Sequence, residues 1–212
     1  MERKGADLAG YGVEGARRGS GRVRTALLGL GALLMLVNLY LIFVWAPEDA
    51  IQGQVQRVLY FHVPIALTAF LAFFLVFVGS VGYLLRRTPA WDRFAHANAE
   101  VGVVFATLIL ITGSIWARPI WGVWWTWEPR LTLSLIMWLT YVAYLMLRAF
   151  APTPDQAARY SAVLGVVGLI NVPIVYYAVE WWRGVHPGRV VGPGAEEGAL
   201  DPEMRMVLLS SL

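Results

Sequence analysis

The most unusual feature of the sequence is a cluster of tryptophans between two long apolar runs. Residues 121–132 combine an acid and an arginine with four indoles, those of Trp121, Trp124, Trp125 and Trp127. An indole offers a wide apolar face and one N–H donor, which suits either a membrane interface or a planar ligand. Pro119 and Pro129 disfavour one uninterrupted helix through this stretch. We therefore expect a loop at residues 117–132 in which the four indoles form an aromatic surface, called the tryptophan shelf below.

Two histidines flank the apolar runs, and a neutral imidazole is a common ligand of iron and zinc. His62 stands at the start of one run, where Pro64 fits the first turn of a helix, and His186 follows the end of another. The more ordinary interpretation is that both are interfacial histidines hydrogen-bonded to lipid or loop backbone. His96 lies at the opposite end of its run, so a ligand pair that included it would have to cross the roughly 30 Å hydrocarbon core. We assign His96 no ligand role.

The composition predicts an integral membrane protein. Of the 212 residues, 58% are hydrophobic and only 15% are charged, whereas soluble domains average about 25% charged residues. The small net charge of +3, without a basic pattern interleaved with aromatics, argues against a nucleic-acid partner. Because the chain has no cysteine, disulfides, iron–sulfur clusters, thiolate metal sites and cysteine nucleophiles are excluded.

Five apolar runs are long enough to cross a bilayer as helices, which takes about 20 residues each. They fall at residues 25–45, 58–85, 94–116, 131–150 and 160–179. The predicted fold is an all-α, polytopic helical bundle, with a basic flexible tail at residues 1–24 and a transmembrane domain at residues 25–212. The apolar stretch at residues 204–212 is too short to span, so we expect a truncated or partial sixth helix, or a segment at the membrane surface.

Basic residues predict the orientation of the bundle. Most of the 17 Lys and Arg residues lie in the tail and in the loops after the second and fourth runs. The positive-inside rule places these segments in the cytoplasm. The tryptophan shelf, His62 and His186 then face the periplasm or cell exterior, and His96 faces the cytoplasm.

The histidines, the shelf and nearby arginines together suggest one ligand. The arginines in the outward loops are Arg118, Arg130, Arg183 and Arg189. A planar ligand with a central metal and carboxylates on its rim would use all three kinds of residue, and haem is such a ligand. The alternatives are that the tryptophans only anchor the chain in lipid, and that each arginine pairs with Glu128, Glu180 or a lipid phosphate.

The same residues resemble the tryptophan-rich WWD signature of the haem-handling proteins of cytochrome c biogenesis. Residues 60–64 around His62, and residues 171–182 leading to His186, are similar in order and spacing to the cytochrome c maturation protein C (CcmC) family. The resemblance covers nearly all of residues 25–190. The chain departs from the family at Glu128, where aspartate is usual, and in its short final apolar stretch.

The resemblance implies a six-helix protein of the inner membrane that binds haem on its periplasmic face. There it would deliver haem to the haem chaperone CcmE, working with the CcmA–CcmB ABC transporter and the small protein CcmD. The resemblance also implies that His62 and His186 are the axial iron ligands. The residues it places around the haem are Trp121, Trp124, Trp125, Trp127, Glu128 and Arg130.

We expect haem binding and hand-off rather than catalysis, because no nucleophile or general base stands out. One alternative is a cytochrome c synthase-type haem lyase, since larger proteins share the tryptophan signature; those enzymes, however, carry more spans than this chain. The other is a non-haem scaffold subunit of the membrane.

Overall fold

The chain folds into helices joined by short loops. The computed structural model describes residues 4–182, 184–195 and 198–212, with side chains described from residue 21 onward. Within these residues there is no β-strand, and the elements are α1 (Lys4–Tyr40), a π-helical turn (Leu41–Trp45), a 3₁₀ turn (Gln54–Val58), α2 (Leu59–Arg86), α3 (Pro89–Trp121), α4 (Pro129–Phe150), α5 (Pro154–Gly168), α6 (Asn171–Trp182) and α7 (Pro202–Ser210). The predicted all-α fold is confirmed.

Five segments of the described chain are long and apolar enough to cross a membrane, as predicted. They are Gly21–Trp45, Gln54–Arg86, Pro89–Trp121, Pro129–Phe150 and Pro154–Trp182. Each extends beyond the apolar run seen in the sequence, because the helices continue through polar residues at their ends. The loop between α3 and α4 is therefore only residues 122–128, shorter than the expected 117–132. Pro119 is accommodated inside the last turns of α3.

The structure divides into two compact units, Met1–Ala46 and Pro47–Leu212. In the first unit, α1 carries exposed apolar side chains such as Leu27 and Leu34, which suit contact with lipid tails. Residues 4–24 are helical and belong to α1. The flexibility predicted for residues 1–24 stays a prediction.

The second unit is built on α2 and α4. Helix α2 packs against α3 and α5, while α4 packs against α3, α5 and α6. The core side chains that they share are Ala69, Phe73, Val76, Ala99, Ala106, Met137, Tyr141, Tyr144 and Val175. Small residues allow α2 and α3 to approach closely, because a Cβ added at Gly102 would overlap the Phe73 ring and one at Gly79 would overlap Ala95.

The fifth span is broken near its middle. Helix α5 ends at Gly168 and α6 begins at Asn171. Pro173 cannot donate a backbone hydrogen bond to the carbonyl four residues before it, so the break falls where that bond is missing. The Asn171 side chain donates to the Leu133 carbonyl at 3.0 Å and ties α6 to α4.

At the end of the bundle opposite the tryptophan loop, an ion pair joins α3 and α4. The Arg148 guanidinium of α4 donates to both carboxylate oxygens of Asp92 on α3, at 2.5 and 2.8 Å. Both side chains are largely buried. Two-point pairing of this kind fixes the relative position of the helices that carry it.

Helix α7 is short but well packed. Its nine residues are too few to cross a bilayer. Met204, Val207 and Leu208 are buried, and α7 contacts α2. The short apolar stretch expected at residues 204–212 is thus mostly helical and packs on the bundle.

Candidate functional site

A cavity opens where α2 begins, α3 ends and α4 begins. The space between its walls that no atom fills is about 780 Å³, open solvent at the mouth included. Helices α2, α3, α4 and α6 and the segment after α6 form its wall. The predicted site residues on that wall are His62, Trp121, Trp125, Arg130 and His186. The fold therefore brings both histidines, two indoles of the shelf and one arginine to a single cavity.

His62 is held in one tautomer by a side chain on the neighbouring helix. Its Nδ1 lies 2.8 Å from the Thr112 hydroxyl on α3. That hydroxyl has a single proton, which it donates to the Leu108 carbonyl at 2.7 Å. Nδ1 of His62 must therefore be the donor to Thr112. The lone pair of the neutral ring is then on Nε2, the atom that can ligate a metal.

The packing around His62 leaves its ring little freedom. Trp116 meets it edge-on, with ring centroids 5.8 Å apart. A Cβ added at Gly113 would lie 3.3 Å from Cε1 of His62, so α3 comes close to the ring on that side. His62 is buried, with 9% of its surface exposed. These contacts fix the imidazole before any ligand arrives.

His186 lies in a non-helical segment after α6, and its backbone neighbour selects the tautomer. Its Nδ1 is 2.9 Å from the Pro187 carbonyl, so Nδ1 donates and Nε2 keeps the lone pair. The ring meets Trp121 edge-on at 6.4 Å. Burial, with the positive charge of Arg130 nearby, lowers the pKa of His186 to about 3. His186 is therefore neutral at pH 7, as a metal ligand must be.

The four indoles of the shelf do not share one environment. Trp121 and Trp125 line the cavity. Trp124 and Trp127 are outside its wall, with 60% and 75% of their surfaces exposed. The reason is that α3 continues to Trp121, so only the residues after Gly122 belong to a loop, and there the side chains alternate between cavity and surface.

One tryptophan of the cavity wall was not predicted. Trp116 lies one turn before the shelf on α3, lines the cavity and donates from Nε1 to the Gln52 side chain at 2.9 Å. Gln52 belongs to the short connection before α2 and also lines the cavity. Trp116 is at the end of an apolar run, where tryptophan is ordinary. Its closeness in sequence to the four indoles of the shelf was the signal that could have added it to the site.

Of the four arginines considered, one is free to bind an anion in the cavity. Arg130 lines the wall, and its buried Nη1 has no hydrogen-bond partner among the described residues. Arg118 donates to the Gly122 carbonyl, and Arg183 lies outside the described residues. Arg189 pairs with Glu180 and stacks over Tyr176 and Tyr177, the ordinary pairing expected as an alternative.

Glu128 is near the site but does not line the cavity. It precedes Pro129, the first residue of α4, and makes no capping bond with its own helix. Its carboxylate lies against Gly184 instead, where an added Cβ would overlap Oε2. Burial raises the pKa of Glu128, while the backbone N–H groups of His186 and Val185 and the charge of Arg130 oppose that rise.

His96 lies outside the cavity wall. Its Nε2 is 3.5 Å from the Glu100 carboxylate one turn along α3. A metal bound by protein side chains alone usually needs three or four ligands. Among the described residues, no group of three or more His, Asp or Glu side chains could hold one. Two neutral imidazoles on an apolar cavity suit a metal that brings its other ligands with it.

Comparison with known proteins shows the family of this chain. The family model described as Heme exporter protein C matches residues 14–212. The chain belongs to the Heme exporter protein C family. Heme exporter protein C of Bradyrhizobium diazoefficiens is 37% identical over 189 residues, which are 89% of this chain and 71% of the relative.

Two further relatives have the same name. Heme exporter protein C of Paracoccus denitrificans is 41% identical over 149 residues, covering 68% of this chain and 62% of the relative. That of Escherichia coli K12 is 34% identical over 170 residues, covering 80% and 68%. The matches thus span between 62% and 71% of the relatives' own lengths. Membership of the Heme exporter protein C family supports a role in haem handling for cytochrome c maturation, with haem as the transported substrate.

The hydrogen bond from His62 to Thr112 generates a prediction. Replacing Thr112 with valine keeps the shape of the side chain but removes the acceptor, so His62 loses the partner that selects its tautomer. We expect haem to bind about 10–100-fold more weakly, the usual cost of losing such a supporting bond. Titration of the purified protein with haem, followed by absorbance, measures the affinity.

Thr107→Val is the matched control for that change. Thr107 is on the same helix, also bonds to its own backbone, and accepts from the Trp138 indole away from the cavity. Haem affinity in this variant should stay within about twofold of wild type. An equal loss in both variants would show that the helix, rather than the histidine, is affected.

Proposed function

We propose that the protein binds haem in this cavity at the periplasmic face of the inner membrane and delivers it to the haem chaperone CcmE. The observation that carries the proposal is the matched state of the two cavity histidines. His62 and His186 both donate from Nδ1 to an oxygen of the protein. Both therefore keep the Nε2 lone pair for iron, and both line the same cavity.

The proposed ligation needs no change of protonation. His186 is neutral at pH 7. In the neutral His62 ring, the bond from Nδ1 to Thr112 leaves the lone pair on Nε2. Each Nδ1 donor bond also makes the ring a better electron donor to a metal at Nε2. Iron held in this way is exchangeable, because imidazole ligands can be replaced by another histidine. Exchange of ligands suits a protein that hands its substrate on.

The rest of the wall matches the other parts of haem. Apolar side chains of α2 and α3, among them Phe70, Ile109 and Leu110, exclude water from the macrocycle. Trp121 and Trp125 offer indole surface on the side of the loop, and we propose that Trp124 and Trp127 complete this surface at its exposed edge. Arg130 supplies a buried cation for one propionate. This propionate would accept a hydrogen bond from Nη1 of Arg130, which has no partner among the described residues.

The partners are proposed from the family resemblance and not from any feature of the cavity. The sequence contains no glycine-rich phosphate-binding loop, so any use of ATP belongs to the CcmA–CcmB transporter. CcmD is proposed as a further subunit of that assembly. We propose transfer of haem without covalent chemistry on this chain.

The orientation rests on the distribution of basic residues. Arg86, Arg87, Arg93 and Arg148 all lie at the end of the bundle opposite the cavity. The positive-inside rule places that end in the cytoplasm and the cavity at the periplasmic side.

Substitution of the two histidines tests the proposed ligation. Wild-type protein loaded with haem should show the absorbance of a six-coordinate, low-spin iron. His62→Ala and His186→Ala should each lose that spectrum, and membranes that contain them should transfer much less haem to CcmE. The control is His96→Ala, which leaves the cavity intact and should behave as wild type. An identical Soret band in all four proteins, or none in any, contradicts the proposal.

Arg130 generates a separate prediction about the propionates. Wild-type protein should bind haem at least about tenfold more tightly than haem dimethyl ester, since a charge-assisted bond contributes about 1.5–3 kcal/mol. Arg130→Gln removes the cation and should bind both at the weaker affinity. Arg205→Gln, which removes an exposed arginine from α7, should keep the preference. If the ester binds as well as haem to wild type, Arg130 does not recognise a propionate.

The natural absence of cysteine makes the proposed topology easy to test. A single cysteine at Val123, exposed in the tryptophan loop, should react with a membrane-impermeant maleimide added outside spheroplasts. A single cysteine at Thr88, in the α2–α3 connection, should react only after the membrane is opened. The reverse pattern would place the cavity in the cytoplasm.

A further inference from the structure

We infer that Glu128 is a positioning residue for His186, acting on the backbone that carries the histidine rather than on the ligand. This inference deepens the proposed function and rests on it. It departs from the expectation that Glu128 touches haem, since Glu128 does not line the cavity.

The first observation is where the Glu128 side chain is directed. Glu128 occupies the N-cap position of α4, where an acidic side chain ordinarily accepts a hydrogen bond from the first turn. Here no hydrogen bond of normal geometry is made, although the Leu131 amide of that turn helps to stabilise the carboxylate charge. The carboxylate also reaches the segment after α6, where it contacts Gly184, two residues before His186. The signature loop is thereby connected directly to the chain around the second histidine.

The second observation is the surroundings of the carboxylate. Both of its oxygens are buried, and neither has a hydrogen bond of normal geometry within the described chain. The backbone N–H groups of Val185 and His186 are close enough to stabilise its charge. A buried carboxylate is costly unless such donors face it. The segment that carries His186 is therefore favoured in the position where its amides face Glu128.

The third observation is how little else holds His186. The described residues between α6 and α7 are not helical, and the hydrogen bond of the His186 ring goes to the carbonyl of the next residue. Its other contact is the edge of the Trp121 ring. At the far side, Arg189 is fixed to α6 by Glu180 and by two tyrosine rings. Glu128 supplies the corresponding attachment on the near side. His186 lies between these two attachments, unlike His62, which is on a rigid helix.

Gly184 follows from the same geometry. A side chain there would overlap the Glu128 carboxylate, so the carboxylate keeps this position only beside a glycine. Gly184→Ala should therefore displace Glu128 and have the same consequence as removing the carboxylate, although it changes a different segment of the chain.

The test measures the backbone directly, in haem-free protein. Hydrogen–deuterium exchange of the amides at residues 185, 186 and 188 is followed in lipid nanodiscs for wild type, Glu128→Ala, Glu128→Gln and Gly184→Ala. We expect about tenfold faster exchange in Glu128→Ala and Gly184→Ala, because the segment opens more often without its attachment. Glu128→Gln keeps the size but not the charge and should show a smaller increase. Glu100→Ala, which removes an exposed acid from α3, should exchange as wild type.

The same variants are then loaded with haem. Glu128→Ala should lose the low-spin spectrum through loss of His186, and added imidazole should restore it by taking the vacant axial position. His62→Ala gives the reference for a lost ligand on the helix. A residue that contacted haem itself would weaken binding with unchanged exchange at residues 185–188, and imidazole would not restore it.

Hydrogen exchange decides the positioning role of Glu128, and the haem spectrum of the wild-type protein decides the proposed function. Wild-type exchange in both Glu128→Ala and Gly184→Ala overturns the positioning role. If Glu128→Ala does not fold, as judged by exchange in α2 and α3, Glu128→Gln decides: unchanged exchange at residues 185–188 overturns the inference. If wild type itself gives no histidine-ligated haem, the proposed function fails, while the exchange data still decide what Glu128 does.

Discussion

The close packing of α2 against α3 is the interaction on which the site depends. Gly79 and Gly102 let the two helices approach more closely than larger side chains would allow, with Ala95 and the Phe73 ring filling the contact. In a bilayer, apolar side chains are as stable among lipid tails as against another helix. Helix pairs are therefore stabilised by close packing of small residues rather than by the hydrophobic effect. This register is what places Thr112 opposite His62. If α3 were shifted by one residue, the threonine would face another direction and the histidine would lose its partner.

The electrostatics of the cavity follow from its enclosure. Burial and the nearby guanidinium of Arg130 keep His186 uncharged. Arg130 itself lacks an anion inside the wall, because the acid nearest in sequence, Glu128, reaches the segment after α6. A cavity that combines neutral imidazoles with one buried cation disfavours bare metal cations and favours a metal complex that carries its own negative charge. The family and the chemistry of the wall thus point to the same class of substrate.

The two proposed ligands differ in their supports, and the difference fits a protein that must release what it binds. His62 is held by a helix, an indole edge and a hydroxyl, all within the packed bundle. His186 lies on a segment attached at two points, at Glu128 and at Arg189. A segment of this kind can open locally at lower cost than a packed helix. Release of haem through the His186 side would leave the bundle unchanged.

The sequence by itself determined the class of the protein and its five spans, and it supplied the candidates for the site residues. Hydrophobic length is a property of consecutive residues, and the tryptophan cluster and the histidines are likewise visible in the order of residues, as is the resemblance that they carry. The sequence did not determine the helix boundaries as well. Helix α3 continues through Pro119 to Trp121, so the loop is shorter than expected.

Only the tertiary structure decided which of those residues meet. It separated Trp121 and Trp125 from the exposed Trp124 and Trp127, because side-chain direction after a helix end depends on the path of the loop. It paired Arg189 with Glu180, left Nη1 of Arg130 without a hydrogen-bond partner, and added Trp116 and Thr112 to the cavity region. It also showed that Glu128 contacts Gly184, more than fifty residues away in sequence. Contacts between distant residues depend on how the helices pack, and no pattern of consecutive residues records that.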